Sequence, residues 1–160
     1  MSRNRYAPRI DVIPEDDRDR KLALGFQLHH AVNDNRMEIL PPAGGWARVL
    51  DEFLEAHVAA LREHSDRIMI LLIDFDGKHR RRPYFEGKIP DDLKSRVFVI
   101  GSWMTPEKLT IGGKYEDFGE SLAAACFDDN LKLWKHPLLA QNLAEIERMR
   151  TIVRPILFGS

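Results

Sequence analysis

Residues 68–77, IMILLIDFDG, decide the fold class of this chain. The apolar run 68–73 is bounded by polar segments, which is typical of a central β-strand covered on both faces. Asp74 and Asp76 follow it and are expected to point the same way. Two such aspartates are too close to share a dry pocket as anions, so either a cation neutralises them or one holds a proton. Taken alone, the motif is equally consistent with a metal site and with a solvated turn, because Asp76-Gly77 also suits turn geometry.

Strands and helices alternate around this segment. Strands are predicted at 9–13, 36–40, 68–73 and 97–100, and helices at 16–30, 45–63, 115–126 and 137–150. Residues 78–92 show no period and are predicted to be a loop with one helical turn at most. The tail 151–158 is predicted to be an edge strand or an extended arm, because Pro155 argues against a central strand. The alternation indicates one α/β domain with a mainly parallel four-stranded sheet and helices on both faces.

Composition excludes several classes of protein. The 160 residues are 44% hydrophobic and 31% charged, as in an ordinary globular domain. No apolar run approaches the roughly 18 residues of a membrane span, and the N-terminus lacks the apolar region of a secretory signal. Cys126 is the only cysteine, so a disulfide framework and a cysteine-based zinc site are excluded. We therefore expect a cytoplasmic protein without a membrane partner.

Acidic residues also follow the first predicted strand, in Pro14-Glu15-Asp16. In a parallel sheet, ligands bind beyond the carboxyl ends of the strands. The first strand brings Glu15 to that edge, the second brings a glycine turn, and the third brings Asp74 and Asp76. This convergence favours a site for Mg²⁺ or Mn²⁺ over a solvated turn.

Three segments together resemble the Toprim domain, which topoisomerases, bacterial primases and overcoming-lysogenisation-defect nucleases share. They are PEDDRD at 14–19, EILPPAGGW at 38–46 and LLIDFDG at 71–77. The chain is also similar to small bacterial Toprim-like proteins that carry PPAGGW, LLIDFDG and W-x-x-P-E-K-L. The resemblance covers a Toprim/Rossmann-like core at 9–102, and residues 103–160 are expected to be a small helical extension of the same domain. Residues 1–8 are polar and are expected to be a flexible N-terminus.

The resemblance also implies chemistry: Mg²⁺-dependent cleavage of phosphodiester bonds in DNA or RNA. Glu15 would be the general acid/base or a metal ligand, and Asp74 and Asp76 would hold Mg²⁺ and complete the catalytic set. Asp19 and Glu107 are the further candidate ligands of the metal. In one departure from the family pattern, Asp16 replaces the usual glycine after the glutamate. No tyrosine is placed as a topoisomerase nucleophile, so strand passage is not expected.

A basic run, KHRRR, follows the acidic motif directly at 78–82. Its cations, Lys78, Arg80, Arg81 and Arg82, are candidates for contacts with a phosphate backbone. A solvated loop that offsets the neighbouring carboxylates explains the run equally well. Because the net charge is −1, any nucleic-acid binding has to come from such a local patch.

Two other functions remain open. The chain is either an active nuclease or a non-catalytic Toprim-like subunit that acts beside a protein partner or as a homo-oligomer, and resemblance links such subunits to bacterial defence modules. LLIDFDG also resembles the first motif of haloacid dehalogenase-like phosphatases, in which Asp74 would be the nucleophile and Asp76 the acid/base. Against the phosphatase, Lys78 stands where that family usually has threonine.

Overall fold

The protein is built on a four-stranded parallel sheet, in a computed structural model that describes residues 7–110 and 113–159. The strands are β1 (Arg9–Pro14), β2 (Met37–Ile39), β3 (Arg67–Leu72) and β4 (Val97–Ile100), in the order β2-β1-β3-β4. The predicted fold class is therefore confirmed. Of the predicted flexible N-terminus, residues 1–6 lie outside the described part of the chain.

The central strand β3 is buried on both faces, as its unbroken apolar sequence predicts. It pairs in register with β1 and β4, with Ile70 beside Val12 and Phe98. Side chains alternate along a strand, so Met69 and Leu71 pack in one core while Ile68 and Ile70 pack in the other. The sheet thus separates two apolar cores.

The first face is covered by α2 (Trp46–Glu52), a π-helical turn (Phe53–His57), α3 (Val58–Glu63) and α4 (Arg81–Lys88). The prediction that 78–92 is a loop with one helical turn at most is wrong, because α4 occupies eight of these residues. Pro83 lies in the first turn of α4, where backbone N–H groups have no intrahelical partner and proline is tolerated. Phe85 is fully buried and anchors α4 to the core.

The second face is covered by α1 (Asp17–Leu28), α6 (Tyr115–Phe127) and α7 (Leu143–Phe158), with the short α5 (Glu107–Thr110) preceding α6. Helices α1 and α6 approach very closely at two glycines. A Cβ built on Gly25 would lie 1.9 Å from the backbone oxygen of Glu116, and one on Gly119 would lie 2.0 Å from that of Leu22. Only glycine permits this separation of the two helix backbones. No helix in the described residues is both long and apolar enough to cross a membrane.

The predicted strand or arm at 151–158 is wrong, because these residues form the second half of α7. Val153 and Leu157 lie one helical turn apart, and both are buried in the core of the second face. Burial of that stripe outweighs the hydrogen bond that Pro155 cannot donate. Helix α7 also begins at Leu143 rather than at residue 137, since the preceding residues form turns and a 3₁₀ segment at Ala140–Asn142.

Candidate functional site

The acidic residues meet where the strand order of the sheet reverses. From β1 the chain runs to β2 on one side, whereas β3 lies on the other side of β1. In open α/β sheets, ligands bind at such a switch point, beyond the carboxyl ends of the strands. Glu15 follows β1, and its N–H donates to the oxygen of Leu72 at 2.9 Å. Asp74 follows β3 on the adjacent strand, so both residues lie at the switch point.

Glu15, Asp16 and Asp74 bring their carboxylates together. Glu15 Oε1 accepts a hydrogen bond of 3.0 Å from the backbone N–H of Asp74. One oxygen from each residue lies within 4.8 Å of the other two. In an octahedral Mg²⁺ site with metal–oxygen distances of about 2.1 Å, adjacent ligands are about 3.0 Å apart and opposite ligands about 4.2 Å. The three oxygens could therefore hold a hard divalent cation after shifts of up to about 1 Å.

Asp16 has a structural role at the same place. It is the N-cap of α1, where its Oδ1 accepts from the N–H of Asp19 at 3.0 Å. Its Oδ2 pairs with Arg18 Nη2 at 3.0 Å. Burial alone would raise the pKa of Asp16, but the bonds from the Asp19 N–H and Arg18 outweigh it and lower that pKa. Asp16 is therefore anionic at neutral pH.

Asp19 and Asp74 form a buried pair of carboxyl groups. Asp19 is fully buried and Asp74 is 2% exposed. Burial, together with the charges of Asp74 and Asp16, raises the pKa of Asp19 to about 10. Burial and the charge of Glu15 raise the pKa of Asp74 to about 7. As anions, neither oxygen of Asp19 nor Oδ1 of Asp74 has a hydrogen-bond donor. A proton on Asp19 lets it donate to Asp74, so the pair holds a proton in the absence of a cation.

Glu15 shows a smaller perturbation in the same direction. Burial raises its pKa, and the charges of Asp16 and Asp76 add to this effect. The hydrogen bond from the Asp74 N–H and the charge of Arg81 act in the opposite direction. Such an environment moves a carboxyl group toward the range in which it exchanges protons near neutral pH.

Asp76 does not lie beside Asp74 in the way the sequence suggests. Asp76 and Gly77 have φ angles of 50° and 66°, and the N–H of Lys78 donates to the oxygen of Phe75 at 2.8 Å. The chain therefore turns sharply after Asp74. The exposed carboxylate of Asp76 binds Arg81 Nη1 at 2.8 Å and does not belong to the group formed by Glu15, Asp16 and Asp74. Both aspartates were expected to point the same way, but the turn between them leaves Asp76 outside the carboxylate group.

The other predicted metal ligands lie around this group. Asp19 lies behind Asp74, in the buried pair. Glu107 is exposed and pairs with Arg18 Nη1 at 3.1 Å. Arg18 joins this periphery to the centre, since its Nη2 also lies 4.0 Å from Asp74 Oδ2. Neither Asp19 nor Glu107 belongs to the carboxylate group that suits a cation.

The basic run divides into exposed and internal side chains. Lys78 and Arg80 are exposed. Arg81 binds the backbone oxygen of Asp74 at 2.6 Å as well as the carboxylate of Asp76. Arg82 points inward, where it donates to the oxygen of Val99 at 2.6 Å and to the side chains of Gln141 and Asn142. The guanidinium of Arg82 thus ties α4 to β4 and to the start of α7, and its role as a phosphate contact stays a prediction.

A separate apolar cavity of about 130 Å³ lies between the sheet and the helices of the second face. Ile70 and Leu72 line it from the sheet, and Phe26 and Val153 line it from the helices. None of the grouped carboxylates borders it. The cavity is thus distinct from the acidic site.

Two residues of the site are not predicted from the sequence. Asp16 stands out there only as a departure from the Toprim pattern, although an acid directly after a strand and before a helix is typical of an N-cap. Arg18 gives no signal, because its role depends on Glu107, which lies 89 residues away in the chain.

Comparisons of the chain with protein-family models, curated proteins and solved structures gave no match.

Proposed function

We propose that this protein binds Mg²⁺ or Mn²⁺ through Glu15, Asp16 and Asp74 and cleaves phosphodiester bonds in nucleic acid. The observation that carries the proposal is the meeting of these three carboxylates at the switch point of a parallel sheet. The buried Asp19–Asp74 pair supports it. Burial and the charge of Glu15 raise the pKa of Asp74, and a bound cation would stabilise the anionic form of this carboxyl group. A bound divalent cation supplies positive charge to phosphoryl oxygens and makes water more acidic.

The residues of the chain divide the remaining tasks. Glu15 is held in place by the Asp74 N–H, and its raised pKa suits it to take a proton from water or to return one to the leaving oxygen. Asp16 and Asp74 are the ligands without a role in proton transfer. Arg81, fixed to Asp74 and Asp76, and the exposed Arg80 place positive charge beside the carboxylates, where a phosphate chain would pass.

The Toprim resemblance supports the same roles for Glu15 and Asp74, which follow the first and third strands. Asp76 is the departure, since it binds Arg81 rather than joining the carboxylate group. In the proposed site, Asp16 takes the place that the family pattern gives to the second aspartate. The phosphatase alternative needs Asp76 as an acid/base beside Asp74, and the sharp turn with the ion pair to Arg81 disfavours that role.

A specific observation favours the non-catalytic alternative. Arg18 already pairs with Asp16 at 3.0 Å and lies 4.0 Å from Asp74, so an internal cation offsets part of the acidic charge. If this compensation is complete, the site needs no metal and the domain serves as a binding subunit. Arg18→Ala separates the two cases, because it should tighten Mg²⁺ binding if the guanidinium and the cation compete.

The decisive experiment compares the wild type with Glu15→Gln in Mg²⁺, Mn²⁺ and EDTA, on DNA and on RNA. The variant keeps the size of Glu15 and loses its charge, so we expect cleavage to fall by about a hundredfold or more. Glu63→Gln is the matched control. Glu63 is exposed at the end of α3, which precedes the amino end of β3, whereas the site lies beyond the carboxyl end of that strand. Its activity should equal that of the wild type.

Each alternative has its own result. Metal binding by calorimetry without cleavage of any nucleic acid would indicate the binding subunit. Hydrolysis of a small phosphomonoester that depends on Asp74 but not on Glu15 would indicate the phosphatase. Full nuclease activity in Glu15→Gln would refute the proposed mechanism.

A further inference from the structure

Two aromatic pairs contact the segment that follows Asp74. The rings of Trp46 and Tyr84 meet edge to face with centroids 5.8 Å apart. The rings of His79 and Trp103 lie 4.8 Å apart. Both pairs are attached to the site by direct contacts of the described residues, and Tyr84 and His79 are exposed.

Arg81 joins the first pair to the acidic residues. Its guanidinium lies 4.5 Å from the centre of the Trp46 ring while Nη1 binds the Asp74 oxygen. Tyr84 follows one turn later on α4 and is 48% exposed, although it is a large aromatic residue. The Tyr84 ring therefore has an exposed surface one helical turn from Arg81, which binds Asp74.

The turn itself joins the second pair to the site. The N–H of Gly77 donates to the oxygen of Trp103 at 2.7 Å, which fixes Trp103 against the turn after Asp74. His79, two residues further along, covers part of the Trp103 ring. Both aromatic pairs thus contact the same short segment, at Gly77 and at Arg81.

Exposed cations accompany these rings. Lys78 and Arg80 flank His79 in sequence, and the Lys88 Nζ is 5.8 Å from the centre of the Tyr84 ring. Arg48 is exposed and approaches Gly44, whose N–H donates to the backbone oxygen of Glu15. Aromatic rings interspersed with cations are the features with which proteins bind single-stranded nucleic acid, since bases stack on the rings and phosphates meet the cations.

We infer that the substrate of the proposed site is single-stranded DNA or RNA, with unpaired bases stacked on Tyr84 and on the His79–Trp103 pair. This inference rests on the proposed function. Asp74 is 2% exposed and Glu15 and Asp16 are half-buried, whereas Lys78, Arg80 and Tyr84 are exposed, so the carboxylates are less exposed than the side chains that would meet a ligand first. A flexible strand can bend its backbone into such a site, but the stacked bases of a duplex offer no faces to the rings and its backbone is stiff.

The test measures binding separately from cleavage. Fluorescence anisotropy with a labelled oligothymidine and with a duplex of equal length, in EDTA and again in Ca²⁺, should give tighter binding of the single strand. Tyr84→Ala should weaken that binding by about five- to a hundredfold, the range for loss of one stacked base. Tyr84→Phe keeps the ring and should bind within about twofold of the wild type.

Phe127→Ala is the matched control, since Phe127 is 41% exposed but lies at the end of α6, in contact with His29 and Phe158 rather than with the site. The inference is overturned if the wild type binds the duplex as tightly as the single strand, or if Tyr84→Ala binds like the wild type. Single-strand binding without Mg²⁺-dependent cleavage would remove the proposed nuclease and leave this inference intact. Cleavage of a duplex that is unaffected by Tyr84→Ala would do the reverse.

Discussion

Replacing Asp19 by asparagine should stabilise the metal-free protein, and the gain should increase with pH. Asp19 is fully buried, and burial with the charges of Asp74 and Asp16 raises its pKa to about 10. In the unfolded chain an aspartate has a pKa of about 3.9. Between pH 5 and pH 8 the folded protein therefore holds a proton that the unfolded chain has released.

The sign and the size of the effect follow from this difference of one proton. A carboxyl group whose pKa is raised on folding contributes stability at low pH that is lost as the pH rises. The free energy of unfolding falls by about 1.4 kcal/mol per pH unit for this group, or about 4 kcal/mol from pH 5 to pH 8. The substituted amide is neutral in both states, so the difference between Asp19→Asn and wild type should grow by that amount. Any packing cost of the amide is constant with pH and does not alter the slope.

The measurement is urea unfolding at pH 5, 6, 7 and 8 in EDTA, followed by circular dichroism. Asp17→Asn is the matched control, because Asp17 lies on the same helical turn, is exposed, and has a pKa lowered by Arg20 and Lys21. Asp17 is ionised in both states above pH 5, so its effect should not change across the series. A difference between Asp19→Asn and wild type that is constant with pH would show that Asp19 is ionised in the folded protein and would refute the shared proton.

Three further results are expected. The affinity for Mg²⁺, measured by calorimetry, should increase by up to about tenfold per pH unit as the pH rises to 7, and then level off. The reason is that the cation must displace the proton that Asp74 holds below its pKa of about 7. An affinity independent of pH would contradict this. Arg82→Ala should lower the free energy of unfolding by about 2–4 kcal/mol through its lost internal hydrogen bonds, whereas the exposed Arg80→Ala should change it by less than about 0.5 kcal/mol; equal effects would show that Arg82 is not structural. Gly119→Ala should destabilise by about 1–3 kcal/mol because its methyl group meets the backbone of α1, while Gly87→Ala, with open space around it, should stabilise by up to about 1 kcal/mol, both measured as urea midpoints.

The sequence determined the sheet and the residues at its carboxyl edge. An apolar run such as that of β3 reports burial on both faces directly, because every position of a central strand is covered. The alternation of strands with helices then requires parallel pairing, and parallel pairing brings the residues that follow β1 and β3 to one edge. Glu15 and Asp74 were therefore predictable as neighbours, since their meeting depends only on local periodicity and on the rule that orders such sheets.

The tertiary structure decided which side chains join the site. Asp76 was expected beside Asp74, but a turn with positive φ angles, held by the bond from the Gly77 N–H to the Trp103 oxygen, carries an Asp76 that binds Arg81. Arg82 looks like its exposed neighbours in sequence, yet it binds the oxygen of Val99 in β4. The helix through Pro155 likewise forms because its apolar stripe packs on the sheet. Arg81 lies only five residues from Asp76, but the partners of Gly77, of Arg82 and of the α7 stripe are distant in the chain, and a distant partner leaves no local pattern in the sequence.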